Sequence, residues 1–315
     1  MTLLWTQKHD GGPSARDFPA MTFDAAREHV VLFGGQEDSG AAVADTWSWD
    51  GTDWIQLSDM GPSPRVAAAI AYDAAREQVV LVGGFGTDIT STETWAWDGV
   101  EWTQLADFVG PDVRAMHAMA FDPVRELLIL FGGIDGANNA LADTWAWTGS
   151  EWEQIADSGP KARFLHAMTF DAVAARVLLF GGIGPVPSAP GVTQEAFGDT
   201  WEWNGVRWST AADFGPPAAQ GASMDCDGRT VLMFGGGIAT ASPLVPFGDT
   251  YQWDDRRWVE RQNMGPRPRL AAGLAFDSTR RRYVLFGGAG APRAGSTAAY
   301  TALGDTWETF DPAAG

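Results

Sequence analysis

The 315 residues hold one cysteine (Cys226), four tyrosines and four histidines, against 16 tryptophans and 38 glycines. A single cysteine excludes an intrachain disulfide and fits a reducing compartment. The histidines (His9, His29, His117, His166) stand singly along the chain, so with Cys226 they form no ligand set at zinc spacing. Basic residues are scarce: 21 Lys and Arg face 40 Asp and Glu, a formal net charge of −19. Nucleic-acid binders draw their affinity from basic clusters, so nucleic acid is not an expected partner. No segment approaches the ~20 apolar residues needed to cross a bilayer. Met1 to Asp10 shows no basic flank before an apolar run, the mark of a secretory signal. P-loop, dinucleotide and Gly-x-Ser-x-Gly fingerprints are also absent. These absences lead to the expectation of a cytoplasmic protein with no metal, no cofactor and no membrane partner.

What is present is repetition. Val30-Val31-Leu32-Phe33-Gly34-Gly35 returns as Val79 to Gly84, Leu128 to Gly133, Val177 to Gly182, Val231 to Gly236 and Tyr283 to Gly288. The first glycine of each pair recurs at spacings of 49, 49, 49, 54 and 52 residues. A period near 50 with a diglycine indicates propeller blades.

Each repeat carries four strand signals. A strand of small and apolar residues such as Ala115 to Phe121 ends at an Asp-containing turn, and a β-branched run into Gly-Gly follows. A variable loop leads to an alternating third strand, Asp143-Thr144-Trp145-Ala146-Trp147, and a Gly turn to a fourth beginning at Trp152. Third and fourth strands account for every tryptophan but Trp5. The last repeat ends after its third strand, and Leu4-Trp5-Thr6-Gln7 resembles Trp102-Thr103-Gln104-Leu105. The fold class expected is all-β: a single six-bladed propeller over 1–315. Its blades run over 16–58, 65–106, 114–156, 163–212, 219–262 and 269–311, the sixth closed by strand 3–8.

The diglycine pairs and the aromatic pairs spaced five apart (Trp49/Trp54, Trp97/Trp102, Trp147/Trp152) resemble the kelch-repeat family over nearly the whole chain. The resemblance implies a kelch-type propeller of the galactose oxidase-like architecture. It does not fix function, because such propellers serve as protein-interaction platforms, sugar-binding modules and enzymes. A galactose oxidase-like copper centre would require a Tyr crosslinked to Cys plus two histidines. Cys226 instead occupies the place of Phe23, Tyr72, Phe121, Phe170 and Phe276, and reads as a packing residue. The Glu-x-x-x-Asp-x-x-x-His iron motif of the kelch specifier proteins has no match.

Up-and-down topology puts the loop before each first strand and the loop from second to third strand at one end, the mouth. Long loops gather there in blades four to six: Ile183 to Gly198, Ile238 to Gly248 and Ala289 to Gly304. Long loops on a rigid scaffold are where binding resides, and their prolines (Pro185, Pro187, Pro190, Pro243, Pro246) indicate ordered lids. Five repeats also share Gly-Pro-x-x-Arg before the first strand, giving Arg16, Arg65, Arg114, Arg163 and Arg269. Blade five has Ala219 there, followed by Gln220, which would widen the mouth on one side. Five guanidiniums can hold a carboxylate or phosphate, and kelch propellers that bind acidic peptide motifs have similarly placed arginines. Alternatively each arginine pairs with a third-strand carboxylate: Asp45, Glu93, Asp143, Asp199 or Asp305. His117 and His166 occupy equivalent positions in blades three and four, as general bases or as buried residues hydrogen-bonded between blades. Glu195, Arg293 and Tyr300, and Asp135, Asn138 and Asn139, are polar loop candidates.

The leading expectation is a non-catalytic propeller binding a small anionic molecule or an acidic peptide or protein at the arginine-lined mouth. The alternative is a metal-free isomerase, lyase or cyclase acting there on a small anionic or sugar-like substrate. His117 or His166 would be its base and the arginines its charge stabilisers. A third possibility is a purely structural scaffold.

Overall fold

Short runs of small, β-branched and aromatic residues, punctuated by Asp and Gly turns, become strands throughout. The computed structural model describes residues 4–9, 11–86, 93–106, 110–185, 194–212, 214–238, 245–254, 256–262, 264–292 and 299–310, and these contain no helix. Arg293, Pro187, Pro190 and Pro243 lie outside the described residues.

Six four-stranded antiparallel sheets are formed among the described residues. The first comprises Ala20–Asp24, His29–Phe33, Thr46–Trp49 and Trp54–Ser58. Those that follow begin at Ala69–Asp73, Ala118–Asp122, Ala167–Asp171 and Ser223–Cys226 and repeat the same order. The last comprises Gly273–Asp277, Arg282–Phe286, Thr306–Phe310 and the chain's first strand, Leu4–His9. In that sheet Trp5 faces Thr309 and Gln7 faces Trp307 across an antiparallel ladder.

The sheets meet in chain order through their first strands, and Gly273–Asp277 of the last also meets Ala20–Asp24 of the first. Second strands are buried on both faces, as Val30, Val31, Leu32 and Phe33 illustrate, and the apolar clusters each span two neighbouring sheets. A fourth-strand indole seals each joint: Trp102 donates its N–H to Thr46 Oγ1 at 2.8 Å and packs edge-on against Phe33. Such a ring buries on the order of 150–250 Å², about 4–6 kcal/mol of apolar transfer before entropy is counted. The same bond runs from Trp152 to Thr94, Trp208 to Thr144, Trp258 to Thr200, Trp5 to Thr250 and Trp54 to Thr306. The sixth bond returns to the starting sheet.

The diglycine is an inter-sheet joint. Its second N–H donates to the carbonyl of the next repeat's arginine position, from Gly35 to Arg65 at 3.0 Å through to Gly288 to Arg16 at 2.9 Å. A Cβ on the first glycine would meet that same backbone: on Gly83 it would lie 2.4 Å from the Arg114 carbonyl oxygen, at a φ of +65°. Only glycine fits both demands.

A further cycle narrows the mouth. Phe18, Ala67, Met116, Leu165 and Ala271 all have φ between 50° and 57°, and Gly221 has +64°. Each N–H bonds the carbonyl of its counterpart in the neighbouring repeat: Ala67 to Phe18, Met116 to Ala67, Leu165 to Met116, Gly221 to Leu165, Ala271 to Gly221 and Phe18 to Ala271. The left-handed backbone costs a non-glycine residue about 1–2 kcal/mol. The girdle bonds are what hold it.

Candidate functional site

The mouth is built from a repeated three-residue unit. In the third repeat Arg114 lies under the rim, 2 % exposed, and its two terminal nitrogens grip the Asp143 carboxylate at 2.7 Å each. Its Nε donates to the Asp112 carbonyl and its Nη1 also to the Gly132 carbonyl. The Trp145 indole N–H then closes on Asp143 from the strand side at 2.7 Å. Arg16, Arg163 and Arg269 repeat the two-pronged grip on Asp45, Asp199 and Asp305. Arg65 pairs with Glu93 at 2.7 Å. Burial works to raise these aspartates, but the hydrogen bonds and charge of the arginine, with the indole, hold Asp45, Asp143, Asp199 and Asp305 below the usual carboxylate range.

Anion binding needs guanidiniums that reach the opening, and all five are buried and paired to a carboxylate of their own repeat. The groups that touch solvent are their carboxylate partners, whose side chains are 19 % to 31 % exposed. Sheet five differs. With Ala219 in place of arginine and Tyr251 in place of the first tryptophan, both donors that hold the carboxylate elsewhere are missing at Asp249. Ala219 is buried in the core with Phe180 and Met224, and Phe247 packs against that cluster. Gln220 is tied by its backbone to Gly237 in both directions.

Other candidates are scattered. Glu195 is half-buried and pairs with Lys161 at 2.7 Å on the short ribbon of Ile183–Pro185 and Gln194–Ala196. Asp135 caps its own turn, accepting from the Ala137 and Asn139 backbones and the Asn139 amide. Tyr300 is exposed beside Asp17, and partial burial of its hydroxyl followed by the Asp17 charge raises it.

His117 and His166 are brought to the wall of a cavity of about 190 Å³ inside the girdle, together with Phe18, Met116 and Leu165. Both are buried, and none of their four ring nitrogens makes a hydrogen bond of normal geometry. His117 is wedged against Gly83 of the preceding sheet, and His166 lies edge-on to Phe131 at 5.5 Å. Burial, then the Arg114 charge, pushes His117 down to about 3, and burial and Arg163 push His166 well below its ordinary value. Each ring still meets the backbone of the preceding sheet, His117 at Val82 and His166 at Phe131, in a contact outside normal hydrogen-bond geometry, and a general base works best with a pKa near the working pH.

Two acids escaped the sequence reading. Asp17 is buried with neither carboxylate oxygen in a hydrogen bond of normal geometry. Asp225 faces the channel from the other end, in a second cavity of about 340 Å³. Each is a single departure from its repeat column: Asp17 stands where the others have Val66, Ala115, Phe164, Gln220 and Leu270. Column-by-column comparison is the signal that finds them. Among the described residues no three His, Cys, Asp or Glu side chains converge on a metal-sized space.

Radial four-stranded sheets, joined through diglycines and indoles around a channel, define a β-propeller built from kelch repeats. The chain belongs to the kelch-repeat family: the model of the KLHDC2/KLHL20/DRC7 Kelch-repeats domain matches residues 1–182 of the 315. No curated protein matches the chain.

Proposed function

We propose that the chain is a six-bladed propeller, with blades over 16–58, 65–106, 114–156, 163–212, 219–262 and 269–311, closed by strand 3–8. Its function is to bind a protein segment at the mouth. The observation that supports this reading is the rim of carboxylates, five of them (Asp45, Glu93, Asp143, Asp199 and Asp305) held in place by a buried arginine and an indole and left partly open to solvent. Groups fixed in this way lose little entropy on binding, which is how a rigid surface gains affinity. The partner that fits is a segment rich in lysine, arginine or backbone N–H donors, settling over sheet five, where Asp249 lacks both its arginine and its indole. The acidic ligand loses its carriers because the guanidiniums are buried, and the enzyme alternative loses its bases because both histidines are buried and held neutral.

Selection from a random peptide library on the native protein tests this reading. Basic segments should be enriched, and Asp249→Ala, which breaks no ion pair among the described residues, should weaken them about tenfold, or 1.4 kcal/mol. Enrichment of acidic segments, or indifference to Asp249→Ala, would sink the proposal.

A further inference from the structure

The end of the channel opposite the mouth departs from six-fold regularity at one place. Four sheets close that end with the same strut. An Asp at the close of the first strand pairs with an Arg three residues on, and the Arg reaches a carbonyl of another sheet: Arg27 to Glu77, Arg76 to Thr148, Arg125 to Asn204 and Arg280 to Glu28. Sheets four and five lack it, having Ala174 and Gly228 in their turns. The turn of sheet five is also two residues shorter, with Cys226 and Val231 five apart where Phe23 and Val30 are seven apart.

Two substitutions meet beside this gap. Cys226 replaces the aromatic ring that every other repeat has, which removes volume. Asp225 replaces Thr22, Ala71, Ala120, Thr169 and Ala275, which adds a carboxylate. That carboxylate accepts from the Phe276 N–H at 2.7 Å, the Cys226 N–H at 2.8 Å and the Thr169 hydroxyl at 3.2 Å, so three sheets orient it. A carboxylate has about four acceptor positions, leaving one for the cavity. No lysine or arginine among the described residues pairs with Asp225, although its residue is accessible from the channel. Around it the cavity is walled by Phe23, Tyr72, Phe121, Phe170 and Phe276. A repeat scaffold calls for neither an isolated acid nor a missing ring at one position of six.

We propose that this cavity of about 340 Å³ is a binding site for a small organic ammonium ion, its charged head on Asp225 and its apolar body among the aromatic rings. A carboxylate in a cavity with aromatic walls is a combination that recognises ammonium over neutral ligands of equal shape. Burial pushes the Asp225 carboxyl up to about 6, with Asp227 adding to the rise. The other titratable groups near it, Cys226 and Tyr283, are raised by burial and neutral at pH 7, and Tyr72 is likewise raised. Ammonium binding therefore strengthens as pH rises through 6.

The test is calorimetric titration of the native protein with phenethylammonium and with neutral 2-phenylethanol. The ammonium should bind saturably and the alcohol about tenfold more weakly or worse. Asp225→Asn should remove that preference and its pH dependence. Cys226→Phe, which restores the ring of the other five repeats, should abolish binding of both probes while the protein stays folded. If Asp225→Asn does not fold, the native ammonium-to-alcohol ratio and Cys226→Phe decide the question. Equal affinity for the two probes, unchanged ammonium binding in Asp225→Asn (a strand clamp only), unchanged binding in Cys226→Phe, or no saturation by about 10-millimolar ammonium, would each overturn it. None of these outcomes depends on the mouth.

Discussion

The indole N–H of Trp54 donates to the hydroxyl of Thr306 at 2.8 Å, joining the first sheet to the last within a cycle of six equivalent bonds. Thr306→Val leaves a buried indole N–H without an acceptor and should cost about 1–3 kcal/mol. Trp97, whose Nε1 is already buried without a partner, provides the contrast: Trp97→Phe loses packing volume only. Urea unfolding of both variants measures the difference, and the double variant Trp54→Phe with Thr306→Val should cost less than the sum of its parts.

Arg114→Ala strands Asp143 and empties a buried space, so a loss of about 3–5 kcal/mol is expected. Replacing both partners by apolar residues should recover part of it. Because Asp45, Asp143, Asp199 and Asp305 sit below their ordinary pKa in the fold, their contribution is complete above about pH 4 and is lost as pH falls further. Acid titration of wild type and Arg114→Ala, followed by tryptophan fluorescence, should show a shallower acid transition in the variant.

Asp17 has the opposite sign. Burial pushes its carboxyl up to about 6, with the Tyr300 hydroxyl and its own backbone pulling more weakly downward and Asp38 adding to the rise. The folded state then binds more protons than the unfolded between about pH 4 and 6, and stability falls as pH rises through that window. Asp17→Asn should gain about 2–3 kcal/mol on wild type above pH 6 and little at pH 4. A pair of denaturation curves at the two pH values checks it.

Ala67 and Ala271 carry φ of 54° in the girdle. Ala67→Gly relieves that strain while loosening the unfolded chain, so it should be neutral or stabilise by up to about 1 kcal/mol. The same exchange at Ala96, in a third strand, should destabilise. Thermal melting of the two variants separates the cases.

Cys226 is pushed up to about 11 by burial. Only about one thiol in a thousand is then ionised at pH 8, and the thiolate is the reactive form. Modification by a disulfide reagent should run far slower than for a free cysteine and jump when denaturant unfolds the chain.

The repeated strands, the sheet order and the structural placing of the tryptophans were legible because copying a unit magnifies its pattern. Polarity of the mouth was not. Arginines at the start of first strands read as a positive ring, yet Arg163 and Arg269 point inward and only their carboxylates surface. A sequence gives the sign of a charge and not the direction it faces. The regular turns similarly hid the larger cavity, since its opening depends on one ring lost at Cys226 and two residues removed from one turn. Loop length drew attention to one end, while the departures from the repeat at Asp225 and Cys226 lay at the other.

The girdle at the mouth is held by backbone N–H and carbonyl groups of its six residues, and by none of the five side chains they carry. Phe18, Met116, Leu165 and their counterparts project from a backbone that holds itself. The aperture's lining is thus decoupled from the aperture's frame. An engineer could rewrite the five positions that carry side chains, one ring of a lens at a time, and retune what the opening admits without touching a bond that keeps it open.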